Sequence, residues 1–205
     1  MRRFPLIALI ASAATALGAI DFTPTVVPYR SEGAEYTNVI FKDEPREISI
    51  TLPRLWTCRG NGSRLQLIPP NESFAEGVVQ SATIKGLLAF DEATVKSLER
   101  QVLATLPPGS FGGTILSEQE NPILLYQNLS YEFVASYQTL GQSFQRSIII
   151  VSCPDQQLIF RFSAPKSAFA KLNEDFRRSI WSWHWTEVSP PKTAPQGQAP
   201  AVASR

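Results

Sequence analysis

Residues 130–185 constrain this chain more than any other stretch, because they alternate and turn as a β-meander closed by a helix does. Tyr131, Phe133, Ala135 and Tyr137 are apolar at every second position, with Glu132, Ser136 and Gln138 between them, the period of a strand with one buried face. Leu140-Gly141 supplies a two-residue turn, the glycine providing a positive φ. That turn sets Tyr137 opposite Phe144, Phe133 opposite Ile148 and Tyr131 opposite Ile150, all on one face. The next strand is apolar on both faces over residues 148–151, so both sides of the sheet need cover.

Pro154-Asp155 marks the following turn, and Leu158, Phe160 and Phe162 alternate in a third strand. Two registers are open. A two-residue loop puts these three on the face opposite Phe133, whereas a three-residue loop including Gln156 puts them on the same face. Either way the sheet is antiparallel. A helix then begins near Ser163, with Pro165 in its first turn, where no N–H partner is lost. Its apolar stripe is Phe169, Leu172, Phe176, Ile180 and Trp183, against Lys166, Lys171, Glu174, Asp175 and Arg178.

The chain begins with Arg2-Arg3, an apolar run to about Leu17, and small residues at Ala14, Ala16, Gly18 and Ala19. Residues 1–19 therefore read as a secretory signal peptide, too short to span a bilayer, and the expected location is secreted or periplasmic. Losing two arginines takes the formal charge from +1 to −1. With no basic run, nucleic acid and anionic lipid are poor partners, and no transmembrane segment is expected after signal removal.

Residues 20–38, with Pro24 and Pro28, read as an extended leader before a single domain over residues 39–185. Strands are expected over 39–41 (a short edge), 47–52 (ending at Pro53), 64–68, 78–88, 114–117 and 123–126, with a turn-rich segment at residues 59–63. A helix runs from Asp91 to about Leu106 with the stripe Val95, Leu98, Val102 and Leu106. Residues 186–205, rich in Pro and Ala, read as a disordered tail.

The strands-first order, the Pro53-x-x-Trp56 turn, the aromatic hairpin and the closing helix ending on Trp183 and Trp185 resemble the Mog1/PsbP-like fold, which includes DcrB-type periplasmic proteins. The resemblance covers residues 39–185. It implies an α/β (α+β) architecture, an antiparallel sheet sandwiched by helices, and a protein that binds rather than catalyses: one branch of the group supports photosynthetic oxygen evolution and another binds a small GTPase. No binding-site residue of either branch is legible, so none is carried over.

The residue chemistry leads the same way. Cys58 and Cys153 are the only cysteines, too few with one histidine for an ordinary metal site, and in an oxidising compartment they are expected to pair. Closing a loop of about ninety residues would stabilise by roughly 4 to 5 kcal/mol in the chain-entropy model. His184, the sole histidine, has no nucleophile motif to serve and reads as a helix-end residue near the last carbonyls. Trp181 and Trp185, four apart on the expected helix, form a candidate binding surface. Asn61, Asn71 and Asn128 match the glycosylation pattern but read as turn residues. Catalytic, cofactor and metal residues are expected to be none. The expected function is an exported non-catalytic binding or accessory protein with an unidentified protein or small-molecule partner. The alternative is a carboxylate-based hydrolase, the one enzyme class this residue set allows.

Overall fold

The computed structural model describes residues 20–43, 46–84, 86–154 and 156–187. The segments read as export signal (1–19) and as the main part of the tail (188–205) lie outside them. Eleven described strands form two antiparallel sheets: β1 (Asp21–Ser31), β2 (Ala34–Asp43), β3 (Arg46–Leu52) and β11 (His184–Glu187) in the order β1-β2-β3-β11, and β4 (Thr57–Asn61), β5 (Arg64–Ile68), β6 (Glu76–Thr83), β7 (Phe111–Glu120), β8 (Ser130–Thr139), β9 (Gln142–Ser152) and β10 (Gln156–Pro165) in the order β4-β5-β6-β10-β9-β8-β7. Among the described residues two helices accompany them, α1 (Glu92–Ala104) and α2 (Lys166–Trp181).

The seven-stranded sheet is the middle layer. Ile149, Val151, Leu158, Phe160 and Phe162 face one side, where Phe169, Phe176 and Ile180 of α2 and Val39, Phe41, Ile48 and Ile50 of the smaller sheet cover them. Tyr131, Phe133, Ala135, Ile148 and Ile150 face the other, beneath Leu98 and Val102 of α1. Both faces of β9 are thus covered, as its apolar run requires. The expected hairpin register holds at all three pairs, with Leu140 and Gly141 at φ 49° and 72° in a mirror-type turn matched to strand twist. At the second turn Cys153 N–H donates to Gln156 O at 2.9 Å and Leu158 pairs with Val151. That is the two-residue register, so Leu158, Phe160 and Phe162 lie opposite Phe133.

Four expectations are corrected. The segment 20–38 is no leader: β1 and most of β2 form a hairpin around Glu32-Gly33 (φ 52° and 78°), and Ile20 and Phe22 are core residues. Its prolines misled, because Pro24 and Pro28 are tolerated on an edge strand, which is where β1 lies. Residues 57–61 are strand β4 rather than turn, the turn proper being held by Asn61 Oδ1, which accepts from Ser63 N–H at 3.1 Å and Arg64 N–H at 3.3 Å. Residues 123–126 form a buried-ended turn, with only a Leu125–Asn128 bridge. Finally α2 starts at Lys166 and stops at Trp181, after which residues 184–187, at the expected domain end, pair with β3.

No disulfide joins Cys58 to Cys153. Cys58 lies on β4, four strands away from β9, and its row continues through Leu67, Gly77 and Phe162 to Ser147, six residues from Cys153. With strands ~4.8 Å apart and a rise of ~3.3 Å per residue, both displacements are roughly 20 Å, far beyond the ~7 Å a bridge spans. Burial also pushes the Cys58 thiol up from its ordinary pKa, away from reactive thiolate. Non-reducing peptide mapping should therefore recover the Cys58 and Cys153 peptides separately, and dithiothreitol should leave the Tm within about 1 °C. A linked peptide pair would overturn the strand order.

The seating of β1 on β4 is testable at Gly60. A Cβ there would run into the backbone carbonyl of Phe22, which no rotamer change relieves. Gly60→Ala should cost about 1–3 kcal/mol by urea denaturation. Gly62→Ala, whose added carbon meets the Asp21 side chain at an ordinary 3.7 Å, is the control.

Candidate functional site

The two sheets meet at one end, where β3 begins and β9, β10 and β11 have their termini. There Arg46, Tyr126, Gln156, Trp185 and Glu187 line an open cleft of about 340 Å³ together with Cys153. β11 carries Trp185, whose indole N–H donates to Asp43 Oδ2 at 3.0 Å. The same oxygen accepts from Arg46 Nη2 at 2.6 Å, and the guanidinium lies 5.4 Å over the Trp185 ring. Asp43 is buried and holds both groups through this one oxygen, while Arg46 Nε–H and Nη1–H have no partner among the described residues.

Tyr126 joins Trp185 in the lining by an unusual backbone. Tyr126 and Gln127 both adopt positive φ, 52° and 64°, in a turn without glycine, at a cost of roughly 1–2 kcal/mol each. The turn is pinned from outside. Asn128 donates through both its backbone N–H and Nδ2 to Leu125 O at 3.0 Å, and Ile123 and Leu125 are buried in the core. The Tyr126 ring lies 4.6 Å from that of Trp185, and its hydroxyl accepts from Trp185 N–H at 2.9 Å. The same hydroxyl is hydrogen-bonded to His184 Nδ1 at 3.1 Å, in a direction set by the histidine tautomer. Strain held by several independent contacts is the mark of a side chain placed for use.

At the floor, Gln156 is buried, and its Oε1 has no hydrogen-bond partner among the described residues. The cleft thus offers donors from Arg46 and an aromatic wall, while Gln156 Oε1 is buried beneath its surface. That set suits a polar guest with a flat face.

The expected site residues fare unevenly. Trp185 is in the cleft, but Trp181 lies 57% exposed on the last turn of α2, and the shared helical face required of the pair does not form because α2 ends there. Trp183 is buried edge-on to Phe41 and Phe160 at 5.3 and 5.4 Å. His184 is an exposed strand residue bound to Tyr126, not a helix-end residue. Asp43, Arg46, Tyr126 and Gln156 were missed; the one local signal was an acid and a base three apart at Asp43 and Arg46. The carboxylates with shifted titration are Asp21 and Asp91, both held below the usual range by hydrogen bonds from Thr23 and Thr94 respectively.

No protein-family model matches the chain, and no curated protein matches it. Solved structures do. Cyanobacterial PsbP (CyanoP) from Synechocystis is 12% identical with a TM-score of 0.50, the match covering 86% of this chain and 98% of that one. A putative regulator of unknown function, PA94 from Pseudomonas aeruginosa, is 13% identical with a TM-score of 0.47, covering 82% and 99%. At these identities the likeness is one of fold: this chain is an α+β protein with the PsbP-like fold.

Proposed function

We propose that this protein is an exported, non-catalytic binding or accessory protein, and that the cleft between Arg46, Tyr126 and Trp185 is where it recognises a small polar ligand. The observation that carries this reading is the strained Tyr126-Gln127 turn clamped onto β11, a conformational cost met to hold one aromatic wall in place. Carboxylates tuned for acid–base work would show raised pKa values in a cleft. The shifted ones here are lowered and serve turns and a helix cap, which favours the binder over the hydrolase. Export rests on the pattern of residues 1–19.

The test is a thermal-shift screen of sugars, amino acids and small amides against the purified chain and Arg46→Ala. A compound that raises the Tm of the first and not the second supports the reading. Turnover of chromogenic ester or glycoside substrates, lost on Glu187→Gln in a folded protein, would replace it with the hydrolase.

A further inference from the structure

At the far end of β3 from the cleft, six residues or about 20 Å along the strand, lies a second concave surface that the proposed ligand site does not use. Its walls are the end of β3 with the turn that follows, the start of β2, and the exposed side of α2. Three features coincide there. The first is charge: Arg54, Lys171 and Arg178 line a groove of about 460 Å³, against Asp175 as the carboxylate in its lining. Asp175 sits between Lys171 (2.7 Å) and Arg178 (3.4 Å) and fixes both, while Glu174 holds the outer side of Arg178. No carboxylate pairs with Arg54 among the described residues. On a chain whose charges nearly cancel, this is a local excess of cations.

The second feature is apolar exposure under strain. Arg54 and Leu55 form the middle of a turn closed by Trp56 N–H to Pro53 O at 3.1 Å, and Leu55 occupies its left-handed position at φ 67° with 72% of its surface exposed. Glycine or asparagine is the residue that position favours. A leucine there meets both a backbone and a solvation cost and gains no packing within this chain. Tyr36, stacked on Tyr29 at 5.3 Å and 40% exposed, lies on the same surface.

The third is a buried, unsatisfied polar atom. Ser179, only 1% exposed, lines the groove, and its Oγ has no hydrogen-bond partner among the described residues.

We infer that this groove, together with the adjoining hollow that shares Tyr36 and Arg54 with it, docks an acidic segment of a partner protein, with an apolar side chain of the partner seated in the hollow against Leu55 and Tyr36 and its carboxylates on Arg54 and the groove's Lys171 and Arg178. Arginine and tyrosine around an apolar centre are the composition of interface hot spots. Arg54, the cation of this surface with no carboxylate among the described residues, selects the sign of the partner. Simple addition of a strand to the neighbouring β1 edge is disfavoured, because Pro24 and Pro28 remove donors there.

The experiment is fluorescence anisotropy of a labelled synthetic peptide alternating glutamate and leucine, titrated with the purified chain. Saturable binding is expected. Arg54→Glu combined with Lys171→Glu should weaken it at least tenfold. Leu55→Asn, which keeps a residue suited to the left-handed turn, should weaken it several-fold. All three positions are exposed, so the charge variant should keep the parental Tm and Leu55→Asn should keep or raise it. Binding that survives the charge reversal, or equal binding of a lysine–leucine peptide, overturns the proposal. Equally tight, variant-sensitive binding of polyglutamate or of phosphatidylglycerol vesicles overturns it too, by showing a generic anion surface or a lipid surface in place of a protein-segment site.

Discussion

Glu132→Ala is expected to destabilise the protein by about 3 kcal/mol, the low end for breaking a buried ion pair, because the guanidinium left without its counter-charge is part-buried. Glu132 points from β8 to the side of the sheet that α2 covers, and it is 3% exposed. One carboxylate oxygen accepts from Ser147 Oγ at 2.6 Å and the other from Arg177 Nη1 at 2.7 Å. Arg177 reaches on to Pro122 O at 3.4 Å, so one ion pair ties α2, the middle sheet and the loop that leads to Tyr126. The pair itself is not a large source of stability, since desolvating two charges offsets most of their attraction. Glu132→Leu with Arg177→Met should therefore regain most of the loss. Urea denaturation of both variants separates the two statements: a single variant within about 1 kcal/mol of the parent would show that the Arg177–Glu132 pair does not tie α2 to β8.

Where local pattern and tertiary demand agree, the sequence is readable. The β8–β9 hairpin was legible because alternation, turn residue and cross-strand partners all point to one register, and both helices were legible from their stripes. Asp91 is a helix cap that reads directly: its carboxylate accepts from Thr94 N–H at 2.8 Å. The β1–β2 hairpin was not legible, because prolines signal a break unless the strand is known to be an edge, and edges are set by the whole sheet. β11 was hidden for a related reason. Trp183 and Trp185 continue the spacing of α2, and only pairing to β3 ends the helix at Trp181.

The cleft was less readable still. Its parts come from positions 43, 46, 126, 156 and 185, brought together by the junction of two sheets, and the two left-handed positions of the turn, Tyr126 and Gln127, are neither glycine nor asparagine. The disulfide expectation failed on similar grounds. Compartment and cysteine count favour pairing, but register decides distance, and register places the two thiols at different rows and different strands.

That register has a sharp consequence one turn away, at Phe162. The two-residue loop at Pro154-Asp155 sends Phe162 toward α2, where it is fully buried and packs against Phe176 at 5.3 Å and against Phe169 and Trp56 at 6.0 Å. Its neighbour Arg161 points the other way, to Glu76 at 3.3 Å, and is partly exposed. Phe162→Ala should thus cost about 3–5 kcal/mol, since the ring leaves a cavity among three aromatic groups, two on α2 and one in the turn before β4. A loss of that size lowers the Tm by roughly 10 °C in a chain of this length. Phe162→Leu should cost under about 1.5 kcal/mol if the neighbours close around it. Arg161→Ala breaks only a part-exposed ion pair and should cost no more than about 1 kcal/mol. The contrast between adjacent positions is what a strand with one face against α2 demands. If Arg161→Ala proved the more damaging of the two, the three-residue register would be the correct one, and the aromatic cluster joining Trp56, Phe162 and α2 could not exist.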